Sequence, residues 1–175
     1  MKRLGLCVLF SFLFLCNASA SNKKDSILLK GSVYNNTDHV KDATIEIYDG
    51  NTLIKKIDVR SSNRFRTYLP ANKLLTIEID APDFHEKRFA FDSHLPEGLV
   101  KSPVYEFDMD IFKEEELKGV NVSILDFPVG LVYYDEKKNK FIHNKSYTKK
   151  MKKEYYKLLD EAKLSERTAL EKDEE

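Results

Sequence analysis

Residues 43–59, ATIEIYDGNTLIKKIDV, decide the fold. Ala43, Ile45 and Ile47 alternate with Thr44, Glu46 and Tyr48, which is the period of a half-buried strand. Asp49-Gly50-Asn51 then supplies residues that tolerate the positive φ of a tight hairpin. The return strand runs over 53–59, with Ile54 offset from the main alternation. One hairpin needs a second sheet to cover its apolar face, so the flanking sequence has to supply one.

It does so in both directions. Upstream, Ile27, Leu29, Gly31 and Val33 share one face of an extended segment, and Asn35-Asn36-Thr37-Asp38 turns the chain. Downstream, a strand over 65–69 is broken by Pro70-Ala71-Asn72. Leu75, Ile77 and Ile79 mark the next strand, which ends at Ala81-Pro82-Asp83, and Phe89 and Phe91 mark another. After a loop holding Pro96, Gly98 and Pro103, Tyr105, Phe107, Met109 and Ile111 face one way and Glu106, Asp108 and Asp110 the other. Residues 120–125 and 129–134 complete the strand candidates. Seven to nine short strands at this spacing predict a mainly β, antiparallel sandwich of transthyretin- or immunoglobulin-like type.

The ends of the chain differ from this middle. Lys2 and Arg3, an apolar run over 4–15 and Ala18-Ser19-Ala20 have the layout of a secretory signal peptide, with cleavage before Ser21. The run is too short to cross a bilayer, and no later segment is apolar enough. The expected divisions are therefore a signal at 1–20, a sandwich domain at 21–145, and a helix with a charged tail at 146–175. Export implies the periplasm, the outer-membrane periphery or the extracellular space. Both cysteines, Cys7 and Cys16, fall inside the signal, leaving a 155-residue mature chain without thiols. Cys16 follows Leu15, where a lipid-attachment motif wants a small residue. The whole chain balances 29 Lys+Arg against 29 Asp+Glu. Losing Lys2 and Arg3 makes the net charge −2.

In the tail, Tyr147, Met151, Tyr155, Leu158, Leu159 and Ala162 recur at helical steps and form one apolar stripe for docking, with Thr148 as the expected N-cap. Upstream of and overlapping that helix lies a basic strip without acids. Lys137, Lys138, Lys140, Lys145, Lys149, Lys150, Lys152 and Lys153 are its lysines, and it suits an anionic surface or an acidic partner.

Residues 32–91 resemble the carboxypeptidase-regulatory-like, transthyretin-like domains common in exported Bacteroidetes proteins. The resemblance rests on Lys30-Gly31-Ser32-Val33, Ser62-Asn63-Arg64-Phe65, Leu69-Pro70 and Ala81-Pro82-Asp83-Phe84. Asn63 and Asp83 stand where such domains usually carry Gly, and both residue types can adopt the left-handed conformation. The resemblance implies a seven-stranded sandwich serving as an accessory, spacer or interaction module, and no activity.

Catalytic patterns are weak. The sequence has no Gly-x-Ser-x-Gly elbow, no phosphate loop and no His-Glu-x-x-His, and His39, His85, His94 and His143 are scattered. Glu106, Asp108 and Asp110 on one strand face stand too far apart for one ion, and Asp80 and Asp83 merely flank a turn. Neither metal nor cofactor is expected, nor is nucleic acid, since the lysines lack arginine and aromatic company. Tyr133 and Tyr134 point to opposite faces, so one at most can stack on a sugar. Asn35, Asn121 and Asn144 head Asn-x-Ser/Thr triplets, and Asp25-Ser26-Ile27 resembles a Bacteroidetes O-glycosylation motif. The expected function is a non-enzymatic, exported module of the cell envelope that binds a protein partner through a sheet edge or the C-terminal helix. A glycan- or anionic-surface-binding module is the alternative, and a hydrolase with an unrecognised site the third reading.

Overall fold

The computed structural model describes residues 26–60, 64–99 and 101–173. The signal segment with Cys7 and Cys16, Asp25 and Asn63 lie outside the described residues. Ten strands form two sheets, followed by one long helix. In the first sheet, β1 (Ser26–Asn35) pairs antiparallel with β5 (Arg64–Pro70) and, at its end, with the two-residue β2 (Asp38–His39). Along its other side β1 pairs in parallel with β8 (Val104–Asp110). The second sheet has the order β10 (Lys140–His143), β9 (Leu131–Asp135), β7 (Lys87–Asp92), β6 (Leu74–Asp80), β3 (Ala43–Asp49), β4 (Thr52–Val59). This is the expected mainly β sandwich with a C-terminal helix. It departs from the expectation in two joins, β1–β8 and β7–β9, which are parallel.

The alternations predicted from sequence line the core. Ile27, Leu29 and Val33 from one sheet meet Ile45, Ile47, Ile77, Ile79 and Phe91 from the other, all fully buried. A side chain of this kind contributes on the order of 1.5–3 kcal/mol when buried. Gly31 occupies an inward position of β1 because no larger residue fits: a Cβ there would sit 2.6 Å from Phe65 Cε1 and 3.0 Å from Phe107 Cζ. The β3–β4 register slips between Ile47 and Tyr48, leaving Ile54 as the extra residue of a bulge. Asn36, Asn72 and Asp83 take φ of 55°, 60° and 67°, so the turn residues do adopt the left-handed conformation.

Residues 120–125 are not a strand. After Gly119 (φ 84°) the chain makes a loop and a 3-10 helix at Ser123–Asp126. Val120, Val122, Ile124 and Leu125 pack instead in a second apolar cluster with Phe112 and Leu117. The lid of that cluster is α1 (Lys145–Asp173), whose Met151, Tyr155, Leu158 and Ala162 are buried in it, with Tyr147 and Leu159 partly so. The helix stripe therefore docks on the chain's own domain. Its N-cap is Asn144 rather than Thr148: the Asn144 Oδ1 accepts from the Tyr147 backbone N–H at 3.1 Å, and Thr148 N–H already bonds the Asn144 carbonyl at 2.9 Å. Phe141, which interrupts the basic run, is buried on β10.

Truncating Leu158 to Ala should lower unfolding free energy by about 2–4 kcal/mol, as a buried large-to-small change does. Urea denaturation measures this, and an unchanged midpoint would mean that the helix is not part of the core.

Candidate functional site

The first sheet ends at β8, with which no strand other than β1 pairs among the described residues. A cavity of about 550 Å³ lies there, between β8, β9 and one flank of α1. Every residue from Tyr105 to Asp110 lines it. On a strand of period two, six consecutive residues can line one space only if the strand turns its edge toward it. The hydrogen bonds at the two ends of the β1–β8 ladder fix which backbone groups that edge carries. Leu28 N–H donates to the Pro103 carbonyl at 3.0 Å, and Ile111 N–H to the Tyr34 carbonyl at 2.8 Å. In a parallel ladder this parity turns the odd-numbered β8 residues toward β1 and the N–H and C=O of Glu106, Asp108 and Asp110 toward the cavity. The Asp110 carbonyl accepts a hydrogen bond from Lys87 Nζ, as that parity requires.

Opposite this edge stand Thr148, Lys152, Tyr155, Tyr156 and Leu159 of α1. Five strand steps from 105 to 110 cover about 17 Å. Eleven helical steps from 148 to 159 also cover about 16 Å. The two walls therefore match in length and make a groove floored by Phe89, Phe107 and Val132. At the Asp110 end the groove closes, because Phe112 just beyond β8 meets Tyr155 of α1, ring centroids 5.8 Å apart.

Lys87 sits at that closed end. It shares the inward face of β7 with Phe89 and Phe91, and its amine lies 4.5 Å from the Tyr155 ring centroid and 4.9 Å from that of Phe112. Burial lowers its pKa to about 8, against the opposing charge of Asp110. No carboxylate lies within ion-pair distance of it among the described residues. Two more polar groups of the wall have no hydrogen-bond partner among the described residues: the Thr148 hydroxyl and the hydroxyl of Tyr155, whose pKa burial pushes up. The outward carboxylates of Glu106, Asp108 and Asp110 border the opposite rim, with Asp110 Oδ1 accepting from Asn36 N–H at 2.7 Å. The arrangement offers hydrogen-bonding backbone, apolar floor and one cation, which are the parts of a binding site.

The residues predicted from sequence are only partly here. Tyr155, Leu159 and Lys152 line the groove, and Tyr155 and Leu159 also belong to the second cluster with Met151, Leu158 and Ala162. All eight lysines of the basic strip are exposed. Lys137 and Lys138 occupy the β9–β10 turn, Lys138 pairing with Asp135 at 3.0 Å, and Lys140 is on β10. Lys145, Lys149 and Lys153 follow one another at four-residue steps along the outer side of α1, with Lys150 exposed beside them. Lys152 lies over Tyr156 at 5.6 Å. The four histidines are on β2, before β7, after β7 and on β10, and among the described residues no three His, Cys, Asp or Glu side chains are placed to hold a metal. Tyr133 is exposed, and Tyr134 turns its ring to Phe141 and donates to Asn139. Of the Asn-x-Ser/Thr triplets, Asn35 spends its amide on the Ile111 carbonyl and Glu116, Asn144 caps α1, and Asn121 is exposed. Ser26 opens β1 and is only 9% exposed. Sequence reading missed Lys87, although a lysine in step with Phe89 and Phe91 on an inward face was a visible signal.

No family model matches this chain, and no curated protein does. Among solved structures, S.CueP aligns at 14% identity over 50% of this chain and 62% of that one, with a TM-score of 0.37. Mercury-inhibited catechol 1,2-dioxygenase from Acinetobacter sp. ADP1 aligns at 13% identity over 55% of each chain, TM-score 0.39. The 3-chlorocatechol 1,2-dioxygenase of Rhodococcus opacus 1CP aligns at 11% over 51% of this chain and 60% of that one, TM-score 0.37. The chain spans less than two thirds of the length of these neighbours, and likeness at this level carries no argument about function.

Replacing Lys87 with Met tests the desolvation of the amine. A depressed lysine pKa destabilises the fold wherever the amine is charged, fully below about pH 8, and the penalty fades as the unfolded chain also deprotonates toward pH 10.5. Lys87→Met should therefore be more stable than the parent by about 1–2 kcal/mol at pH 7. The gap should shrink by pH 10, read as the difference in urea midpoints at the two pH values. An equal gap at both would show the amine to be solvated.

Proposed function

We propose that this protein is an exported, non-catalytic binding module of the cell envelope that takes an extended segment of a partner protein as an added strand on β8. The observation that carries the reading is the edge itself: the backbone groups of Glu106, Asp108 and Asp110 face an apolar groove walled by α1. Edge strands are ready templates for pairing, and main-chain bonds supply affinity while pockets for alternate side chains supply selectivity. The resemblance to carboxypeptidase-regulatory-like domains fits a module of this kind, and the signal-like N-terminus fits its export.

Asp108→Pro is the direct test. It removes an N–H that faces the groove and leaves the β1 ladder intact, which an edge strand tolerates. Peptides selected on the purified protein from a random twelve-residue display library should lose at least about tenfold in affinity for this variant, as an added strand that loses a backbone bond and gains a steric clash would. The variant should still melt cooperatively. Unchanged affinity of every selected peptide would end the strand-addition reading.

A second reading, attachment to an anionic surface, is favoured by the exposed row Lys145, Lys149 and Lys153 on the side of α1 away from the core. It expects binding to vesicles rich in phosphatidylglycerol at low salt, with loss on raising ionic strength and on replacing those three lysines by Gln. Absence of sedimentation with such vesicles would reject it.

A further inference from the structure

We infer that the strand received by β8 is the carboxyl-terminal end of its partner, with the terminal carboxylate seated against the Lys87 amine. This rests on the strand-addition reading and goes further by naming which part of a partner enters. Two observations carry it independently of the edge. The first is that the groove is open along β8 but blocked at the Asp110 end, where Phe112 bridges to Tyr155. A segment following β8 to that end runs into this contact, which favours a chain that ends there.

The second is the chemistry waiting at the stop. Lys87 is a three-donor ammonium, and among the described residues only one protein acceptor, the Asp110 carbonyl, is bonded to it. The Tyr155 hydroxyl has no hydrogen-bond partner among the described residues although the residue is only 5% exposed, and its ring packs on the Lys87 amine together with that of Phe112. Buried polar groups left this way are costly unless something bonds them, and a cation between aromatic rings with no carboxylate within ion-pair distance among the described residues is matched by an anion. A chain that ends against a cation ends in its carboxylate, not in its ammonium. The entering strand accordingly runs parallel to β8.

Charge complementarity extends to the rest of the segment. Side chains of an added strand alternate with the sheet it joins. Those on the inner side meet Phe107 and the apolar floor, and those on the outer side meet the carboxylates of Glu106 and Asp108. The expected partner tail therefore alternates apolar with basic or neutral residues and ends in a free carboxylate.

The test uses two arrays of the same random ten-residue peptides, one with free C-terminal carboxylates and one C-terminally amidated, probed with the purified protein. Free-acid binders should lose at least about tenfold in affinity on amidation, the scale of a charge-assisted bond in a desolvated site. Lys87→Met should cost the free acid a similar factor and the amide nothing, while Lys87→Arg retains part of the preference. The urea midpoint of each variant guards against misfolding as the cause. If amides bind as well as acids, or Lys87→Met leaves the preference unchanged, the terminal-carboxylate inference falls. Strand addition then still stands provided that Asp108→Pro abolishes binding. If neither array yields a binder, strand addition falls and takes this inference with it.

Discussion

The parallel pairing of β8 with β1 is the constraint on which the rest depends. A parallel partner cannot arrive by a hairpin, so the chain must cross from β7 in the other sheet and approach β1 from the outside. That route puts Phe107 against Gly31, where no side chain fits, and against Phe89 of the facing sheet at 4.8 Å between ring centroids. It also leaves β8 with one edge paired to β1 and the other without a strand partner among the described residues. An added antiparallel strand would have closed the sheet. Here the chain instead leaves β8 through Phe112 and builds a second apolar cluster beside it.

That cluster explains the helix. Phe112, Leu117 and Leu125 form an apolar surface too small to stand alone, and α1 covers it with Met151, Tyr155, Leu158 and Ala162. The first turn of α1 carries no acidic residue, and Lys145, Lys149 and Lys150 lie in its first two turns, against the preference of the macrodipole. Docking and the Asn144 cap offset that mismatch. Because α1 sits over the cluster rather than over β8, it walls the groove without filling it.

Much of this was legible in the sequence, and the reasons are local. Alternation with period two identified β1, β3, β6 and β8 with the correct inward faces, because each has one buried side. The turns at Asn36, Asn72 and Asp83 were legible because few residues accept their φ. The helix stripe was legible too, though not the surface that it covers. Residues 120–125 misled because Val120, Val122 and Ile124 alternate as a strand does. Their partner is a helix, and spacing alone does not say which element an apolar residue faces. β10 was hidden among lysines: only Phe141 of its four residues is buried. The parallel joins were not legible, since pairing direction is set by the route of the chain and not by any residue pattern.

The groove was illegible for a related reason. An edge is a property of what does not pair, and no single residue announces it. Lys87 was the exception, an ionisable group in phase with Phe89 and Phe91. The fold could bury a methionine there with less electrostatic cost. Keeping a desolvated amine at that place lowers stability at neutral pH, and the Asp110 carbonyl, the two rings and the charge of Asp110 offset only part of the loss. An interaction that is unfavourable in the isolated chain becomes favourable once an anion enters, because much of the desolvation has already taken place before binding. The same residue is thus a defect in the core of the free protein and a pre-organised receptor in the bound one.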